Sequence, residues 1–410
     1  MPTDAALRRT TGLLSGILLL ALGALGMWIS KSSYSSGAVQ SFCRAWYCPD
    51  EFSVERVFQL GQKAALGDAA GQLRDFQGAL AVDSASAYRW ADVGDSEFNL
   101  HDLTRAQYAY QQALANGPHS LVILQRAANF FFEAGLPVEA VVQLRKILSD
   151  PALSNYYDTV FLTYSRLGLP LSEILSQGIP PKTISGSRFL HFWISRGKEP
   201  EARETWNWLR QHGGVDDNTA GSYVNFLLGQ HDPALAQATW QSFTQAEMPG
   251  YCKTNWVFNG SFEAPFKPSE LDWNIVPRPE VDVERVKSQS VDGDWGLQLK
   301  FRGVENIGYR ETYQIVVLTP GAWHFSARVK TQSITTNEGP HFHLASAAGK
   351  KLDVWTEPQR GTSDWHRVAA DFLVGPATQA VRIELIRSPS MQFDNKISGT
   401  MWIDDITLSH

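Results

Sequence analysis

The sequence predicts a multidomain chain: an N-terminal transmembrane helix, an all-α helical solenoid, then an all-β sandwich. Three observations carry this prediction. Residues 11–29 form an uncharged apolar run. Similar side chains recur 34 residues apart, as at Ala106 and Ala140. From Cys252 onward apolar residues alternate with polar ones at a period of two. The length of 410 residues gives room for two or three domains. A net charge of -6 leaves no basic stripe to neutralise phosphates, which excludes nucleic acid as the expected partner.

The first element is the run TGLLSGILLLALGALGMWI, residues 11–29. It is long enough to cross a hydrocarbon core of roughly 30 Å. Arg8 and Arg9 precede it and Lys31 follows it. Positive charge stays on the cytoplasmic side, so residues 1–10 are expected in the cytoplasm and the bulk in the periplasm or outside. Trp28 then lies at the outer interface. The competing reading is a cleaved signal peptide, which wants small residues close after the run. Met27, Trp28 and Ile29 do not supply them, and Ser36-Gly37-Ala38 lies far downstream. No cysteine follows the run, which argues against a lipoprotein.

Residues 30–52 read as a juxtamembrane linker. Cys43 and Cys48 form either a small disulfide loop, favoured in an oxidising compartment, or two free thiols. Cys252 is left over as a buried thiol or an intermolecular link.

A helical pattern begins near Ser53 and extends to 247. Phe76 and Ala79 precede Tyr110 and Ala113 by 34 residues. The strongest copy, Ala87 to Ser120, carries Trp90, Gly94, Ala106, Tyr110, Ala113 and Pro118. A second copy, 121–154, keeps Ala128, Phe131, Gly135 and Ala140. A 34-residue period is the length of one helix–turn–helix unit. These positions resemble the tetratricopeptide repeat, in which small residues let two helices approach and the proline sets the turn. Glu97 departs from that pattern, where an aromatic is usual, and Phe98 stands beside it. Beyond 155 the register blurs, Ile179-Pro180-Pro181 interrupts, and two further hairpins follow. They comprise His191–Arg196 with Ala202–Gln211, and Thr219–Leu228 with Pro233–Gln245. About five or six hairpins are expected. Such units bury their apolar faces by stacking, and their curved surface suits a protein partner.

Strands are predicted at Tyr313–Leu318, Trp323–Val329, Phe342–Leu344, Val368–Phe372, Val381–Ile386 and Trp402–Leu408. Seven or more strands without helical pattern make a β-sandwich over 253–410. Asn259-Gly260-Ser261-Phe262-Glu263, Leu271-Asp272-Trp273, Thr319-Pro320-Gly321, Trp365-His366-Arg367-Val368 and the ending Met401–Leu408 resemble the carbohydrate-binding, galactose-binding-like jelly rolls attached to many secreted glycosidases. That resemblance implies a structural calcium where the first and last strands meet, with Glu263, Asp404 and Asp405 as oxygen donors of the hard kind calcium prefers. The other reading has them cap turns or accept backbone N–H bonds. No other cofactor is expected.

Alternation also suggests where a glycan would lie. With Phe325, Ala327 and Val329 turned to the core, His324 and Arg328 face away, as do His343 and Glu384. Trp355 joins them from a Gly-Lys-rich loop. The alternative is a solvated sheet face. Trp295, Trp323 and Trp365 are expected in the core. His341 and His343 point to one face, with no third ligand apparent.

No phosphate-binding glycine loop, nucleophile elbow or zinc-protease motif occurs. A glycosidase needs two carboxylates across a cleft, and no segment is left for a catalytic domain. The chain therefore reads as a non-enzymatic scaffold, anchored in the membrane through 11–29. Its solenoid would hold a protein and its sandwich a polysaccharide, in envelope polysaccharide synthesis, export or attachment. The alternatives are a protein-interaction module without sugar binding, or a hydrolase using the jelly roll itself.

Overall fold

The computed structural model describes residues 68–287, 291, 293–347, 352–376 and 380–410. The chain forms two compact units, one ending at Leu136 and the other beginning at Pro137.

Among the described residues of the first unit four helices follow one another: α1 (Ala69–Val82), α2 (Ala87–Asn99), α3 (Leu103–Asn116) and α4 (Leu121–Glu133). Short polar side chains start them. Asp68 accepts from the Gly71 amide at 2.8 Å, and Asp102 from the Arg105 amide at 3.0 Å, satisfying N–H groups that a helix start leaves open. The small residues of the 34-residue pattern permit close helix contact. Ala106 and Ala113 are fully buried, and a side chain at Gly94 would meet the Tyr110 ring at 2.8 Å. Trp90 packs, half-buried, on Phe76, Val93 and Ala109. Glu97 is buried, and Phe98 meets Phe130 edge to face at 5.5 Å. Pro118 lies exposed in the turn after α3.

The second unit opens with α5 (Pro137–Leu148), a 3₁₀ turn (Pro151–Tyr156) and α6 (Tyr157–Tyr164). Ala140 is buried in α5. The short α7 (Leu171–Glu173) passes into a π turn, Ile174–Gly178, just before the Ile179-Pro180-Pro181 interruption. Four longer helices follow: α8 (Ile184–Ile194), α9 (Glu199–His212), α10 (Asp217–Gly229) and α11 (Pro233–Thr244). Trp206 and Leu209 point inward from α9, as their spacing predicts. Helix starts keep the period along the sequence: α2 to α4, α3 to α5 and α9 to α11 are each 34 residues apart.

The expected fold class requires one correction. Among the described residues no helix is long and apolar enough to cross a membrane. None exceeds 14 residues, about 21 Å at 1.5 Å per residue, short of a core of roughly 30 Å. Among the described residues the class observed is a region of eleven helices followed by a β-sandwich. The segment 11–29, the Cys43 and Cys48 pair and the Ser53 helix start lie outside the described residues.

Among the described residues ten strands complete the second unit. They are β1 (Asn274–Ile275), β2 (Val281–Lys287), β3 (Trp295–Arg302), β4 (Tyr309–Val317), β5 (Gly321–Ile334), β6 (His341–Ser346), β7 (Asp353–Trp355), β8 (Gly361–Val374), β9 (Ala380–Arg387) and β10 (Ser398–Ser409). Two antiparallel sheets form, with orders β1-β4-β9-β6-β7 and β2-β3-β10-β5-β8. Alternate residues of both, such as Leu299, Phe325, Val329, Leu344, Ile383, Leu385 and Ile403, form one apolar core between them. Trp323 belongs to that core, whereas Trp295 and Trp365 are only half-buried, at variance with expectation. Trp295 lies under Arg285, whose guanidinium carbon is 4.5 Å from the ring centre.

The sandwich is fastened to the last two helices. Gly221, inside α10, allows the backbone at Pro268 to come close: a Cβ there would lie 2.1 Å from the Pro268 carbonyl oxygen. A glycine in a helix interior costs about 1 kcal/mol relative to alanine, so this contact explains a residue that helix propensity disfavours. Lys267 reaches Asp217 at 2.8 Å and Glu247 at 2.9 Å, and Asn225 accepts from the Glu270 amide at 2.8 Å. Gln237 of α11 donates to the Val317 carbonyl at 2.9 Å. Cys252, in the segment between helices and sandwich, is a free, half-buried thiol with a positive φ of 57°. Burial pushes its thiol pKa up to about 11.

Candidate functional site

Strand pairing aligns four side chains across the outward face of the first sheet. Tyr313 of β4 lies opposite Glu384 of β9, Glu384 opposite His343 of β6, and His343 opposite Trp355 of β7. Their neighbours Thr312, Leu385, Phe342 and Val354 turn the other way, and three of these four pack in or against the core, as strand alternation requires. Three strand spacings separate the outer members, so Tyr313 and Trp355 stand about 14 Å apart.

The row is a connected cluster. Glu384 is 6% exposed and is faced by one histidine and two arginines. His343 Nδ1 lies 2.9 Å from it, Arg382 Nε 3.1 Å, and the Arg310 guanidinium 3.6 Å. Arg382 also covers the Tyr313 ring at 3.6 Å. The His343 ring stacks on Trp355, with centres 3.8 Å apart and planes 19° apart, and its Nε2 lies 2.8 Å from Asp353. Trp355 remains 48% exposed. One aromatic thus stands at each end, and charged groups that hold one another lie between.

The five glycan candidates divide between the two sheets. His343, Trp355 and Glu384 come together on the first. Trp355 reaches them from a strand, not the loop expected, because β7 pairs with β6. His324 and Arg328 lie on β5, in the second sheet, and are not part of the cluster. His324 Nδ1 contacts Asp371 of β8 at 2.6 Å, with the two side chains 45% and 86% exposed, an ordinary surface pair. Arg310, Tyr313, Asp353 and Arg382 were absent from the candidates. For Arg382 the signal was present: it stands two residues before Glu384 in a predicted strand and shares its face.

Two of the three carboxylates proposed for calcium, Glu263 and Asp404, hold one loop. Glu263 Oε1 accepts from the Asp294 and Trp295 amides, both at 2.9 Å. Asp404 is fully buried and accepts from the Val291 amide through Oδ2 and from the Asp405 amide through Oδ1. Asp405 sits at a bulge of β10 with a positive φ of 46°. Calcium takes six to eight oxygen ligands. Three of the four carboxylate oxygens of Glu263 and Asp404 instead face N–H donors, and no group of three His, Cys, Asp or Glu side chains converges among the described residues. This geometry fits the N–H-accepting role better than a metal cage. Nearby, Asn255, just before the opening motif, interlocks with the last strand. Asn255 donates to the Ile406 carbonyl at 2.9 Å and accepts from the Leu408 amide at 3.0 Å.

No protein-family model matches the chain, and no curated protein does. Among solved structures it is similar to a family 16 carbohydrate-binding module (18% identity over 38% of this chain and 100% of that one, TM-score 0.28). It is also similar to the CBM22-1 xylan-binding domain of Paenibacillus barcinonensis Xyn10C (16% identity, 36% of this chain and 90% of that one, TM-score 0.25). A third is TmCBM61 in complex with β-1,4-galactotriose (16% identity, 38% of this chain and 98% of that one, TM-score 0.26). At these values the likeness is one of fold and says nothing about ligand.

Proposed function

We propose that the outward face bearing Tyr313, Glu384, His343 and Trp355 binds a glycan, and that the chain is a non-enzymatic binding protein. The observation that carries this reading is the row itself. Its half-exposed indole is backed by a stacked imidazole, which offers a rigid apolar platform for the C–H face of a sugar ring. Beyond it, Arg310 and Arg382 offer N–H donors for hydroxyls along three strand spacings. Glu384 is engaged by side chains of its own sheet, which favours a structural over a hydrolytic role.

The helical region, with its 34-residue period, suits a protein partner in the manner of tetratricopeptide repeats. Together the two regions would bring a protein and a polysaccharide to one scaffold, in the synthesis, export or attachment of an envelope polysaccharide. The test is a glycan array followed by calorimetric titration, using β-1,4-galactotriose and xylohexaose among the probes. Binding is expected, and Trp355→Ala should weaken it about 30-fold or more at unchanged melting temperature. Absence of binding across the array would leave a protein-only interaction module.

A further inference from the structure

We infer that His343 is a positioning residue of this face: as an imidazolium bridging Glu384 of β9 and Asp353 of β7, it fixes the edge strand and the Trp355 platform on it. The role as platform rests on the glycan reading above; the clamp on β7 does not.

The inference starts from proton counting. A neutral imidazole has one N–H donor and one lone pair. Both ring nitrogens of His343 face carboxylate oxygens, Glu384 at 2.9 Å and Asp353 at 2.8 Å. With a neutral ring, one contact would set a lone pair against a carboxylate. With the ring doubly protonated, both become charge-assisted hydrogen bonds, the stronger kind. The charged groups that face the ring are Glu384 from β9, with Arg382 and Arg310 beyond it, and Asp353 from β7. Trp355 stacks on the ring, and His341 of the same strand lies near the indole with its Nδ1 3.0 Å from the Gly339 carbonyl.

The two bonds are not equal in consequence. The bond to Glu384 lies within the buried part of the sheet, where two arginines also hold the carboxylate. The bond to Asp353 reaches a side chain that is 69% exposed, on a strand of three residues paired to β6. Loss of the second ring proton therefore leaves the Nδ1 contact in place and releases Asp353. The same event weakens the hold on β7 and on the indole two residues along. Thr356 still ties the end of β7 to Phe342, by a backbone bond of 3.0 Å, so the strand loosens without leaving the sheet.

The experiment is hydrogen exchange on the full chain at about pH 5.5 and pH 8.5, corrected for intrinsic rates, read on the amides of 353–356. Protection is expected to fall about tenfold at the higher pH, the scale of one charge-assisted bond. In Asp353→Asn an amide can donate to the neutral ring, so protection at the higher pH should be restored and the pH dependence lost. Titration of β-1,4-galactotriose should follow the same pattern in both proteins. Equal protection of wild type at the two pH values, or an unchanged pH dependence in Asp353→Asn, overturns the clamp. Correct exchange behaviour with no glycan of the array bound at either pH overturns the glycan reading and the platform role and leaves the clamp standing.

Discussion

The two outward faces of the sandwich carry similar residue types and use them differently. On the β5–β8 face, His324 and Asp371 form a pair in which both partners remain open to water. On the β9–β6–β7 face, His343 contacts two carboxylates, one of them buried, and stacks on an indole. The first arrangement is worth little, since water competes for both charges. The second excludes water from Glu384, so every partner of that carboxylate matters. A histidine beside an acid is therefore no guide to a site; what distinguishes the faces is whether the acid is enclosed.

That contrast sets the expected sizes of mutational effects. Glu384→Ala should be the most damaging substitution. It leaves His343, Arg382 and Arg310 facing each other without their shared anion, and should cost about 3 kcal/mol in denaturant unfolding. A loss below about 1 kcal/mol would place Glu384 in the same class as the exposed acids of the other face.

Next in size is a pH effect at the junction with the helices. Asp272 is fully buried in the loop leading to β1 and accepts from the Lys267 and Trp273 amides at 2.6 and 2.7 Å. Burial, outweighing those bonds, pushes its pKa up to about 7. A carboxyl whose pKa is raised by folding holds its proton in the native state between the unfolded value, near 4, and about 7. Its contribution is present at low pH and lost as pH rises through that window, by a few kcal/mol at most. The urea midpoint of the second unit should fall between about pH 4.5 and pH 8 more steeply in wild type than in Asp272→Asn. Equal slopes would show that this carboxyl titrates as an exposed one does.

A smaller effect is expected where Glu263 fastens the 293–295 loop. Glu263→Gln should lower the melting temperature by a few degrees, the scale of weakening two hydrogen bonds to a charged acceptor. If the carboxylate serves as an N–H acceptor alone, wild type melts identically in calcium and in chelator. A calcium-dependent melt abolished in Asp404→Asn would assign the pair to a metal instead. The smallest effect belongs to His324→Ala, expected within about 0.5 kcal/mol of wild type in stability and without effect on sugar titration. Loss of binding in that variant would move the site to the other face.

Much of this was legible in the chain. Six of the strands, the hairpins after Ile184 and the small-residue positions around Ala106 follow from period and volume, which act between near neighbours. The pairing of Glu384 with His343 followed only in part. Alternation places each on an outward face, but not on the same sheet, and His324 and Arg328 meet the same criterion. Strand β7 escaped notice because three residues are too few to show a period, and with it went Asp353 and the true setting of Trp355. The glycine at 221 inside α10 has its reason in the Pro268 backbone packed against it, a contact that no sequence period shows.

By itself, then, the sequence determined the order of the helical and β regions, the period of the helices and the inward or outward sense of residues in the six predicted strands. These depend on local geometry, 3.6 residues per turn or two per pleat. Only the tertiary structure decided which strands lie side by side, and so which outward residues share a face. Strand order brings β6, β7 and β9 together across gaps of sequence, and burial then turns the acid at 384 from a surface group into the centre of a charged cluster. Pairing partners and solvent exclusion are properties of the assembled sheet, and no local pattern encodes them.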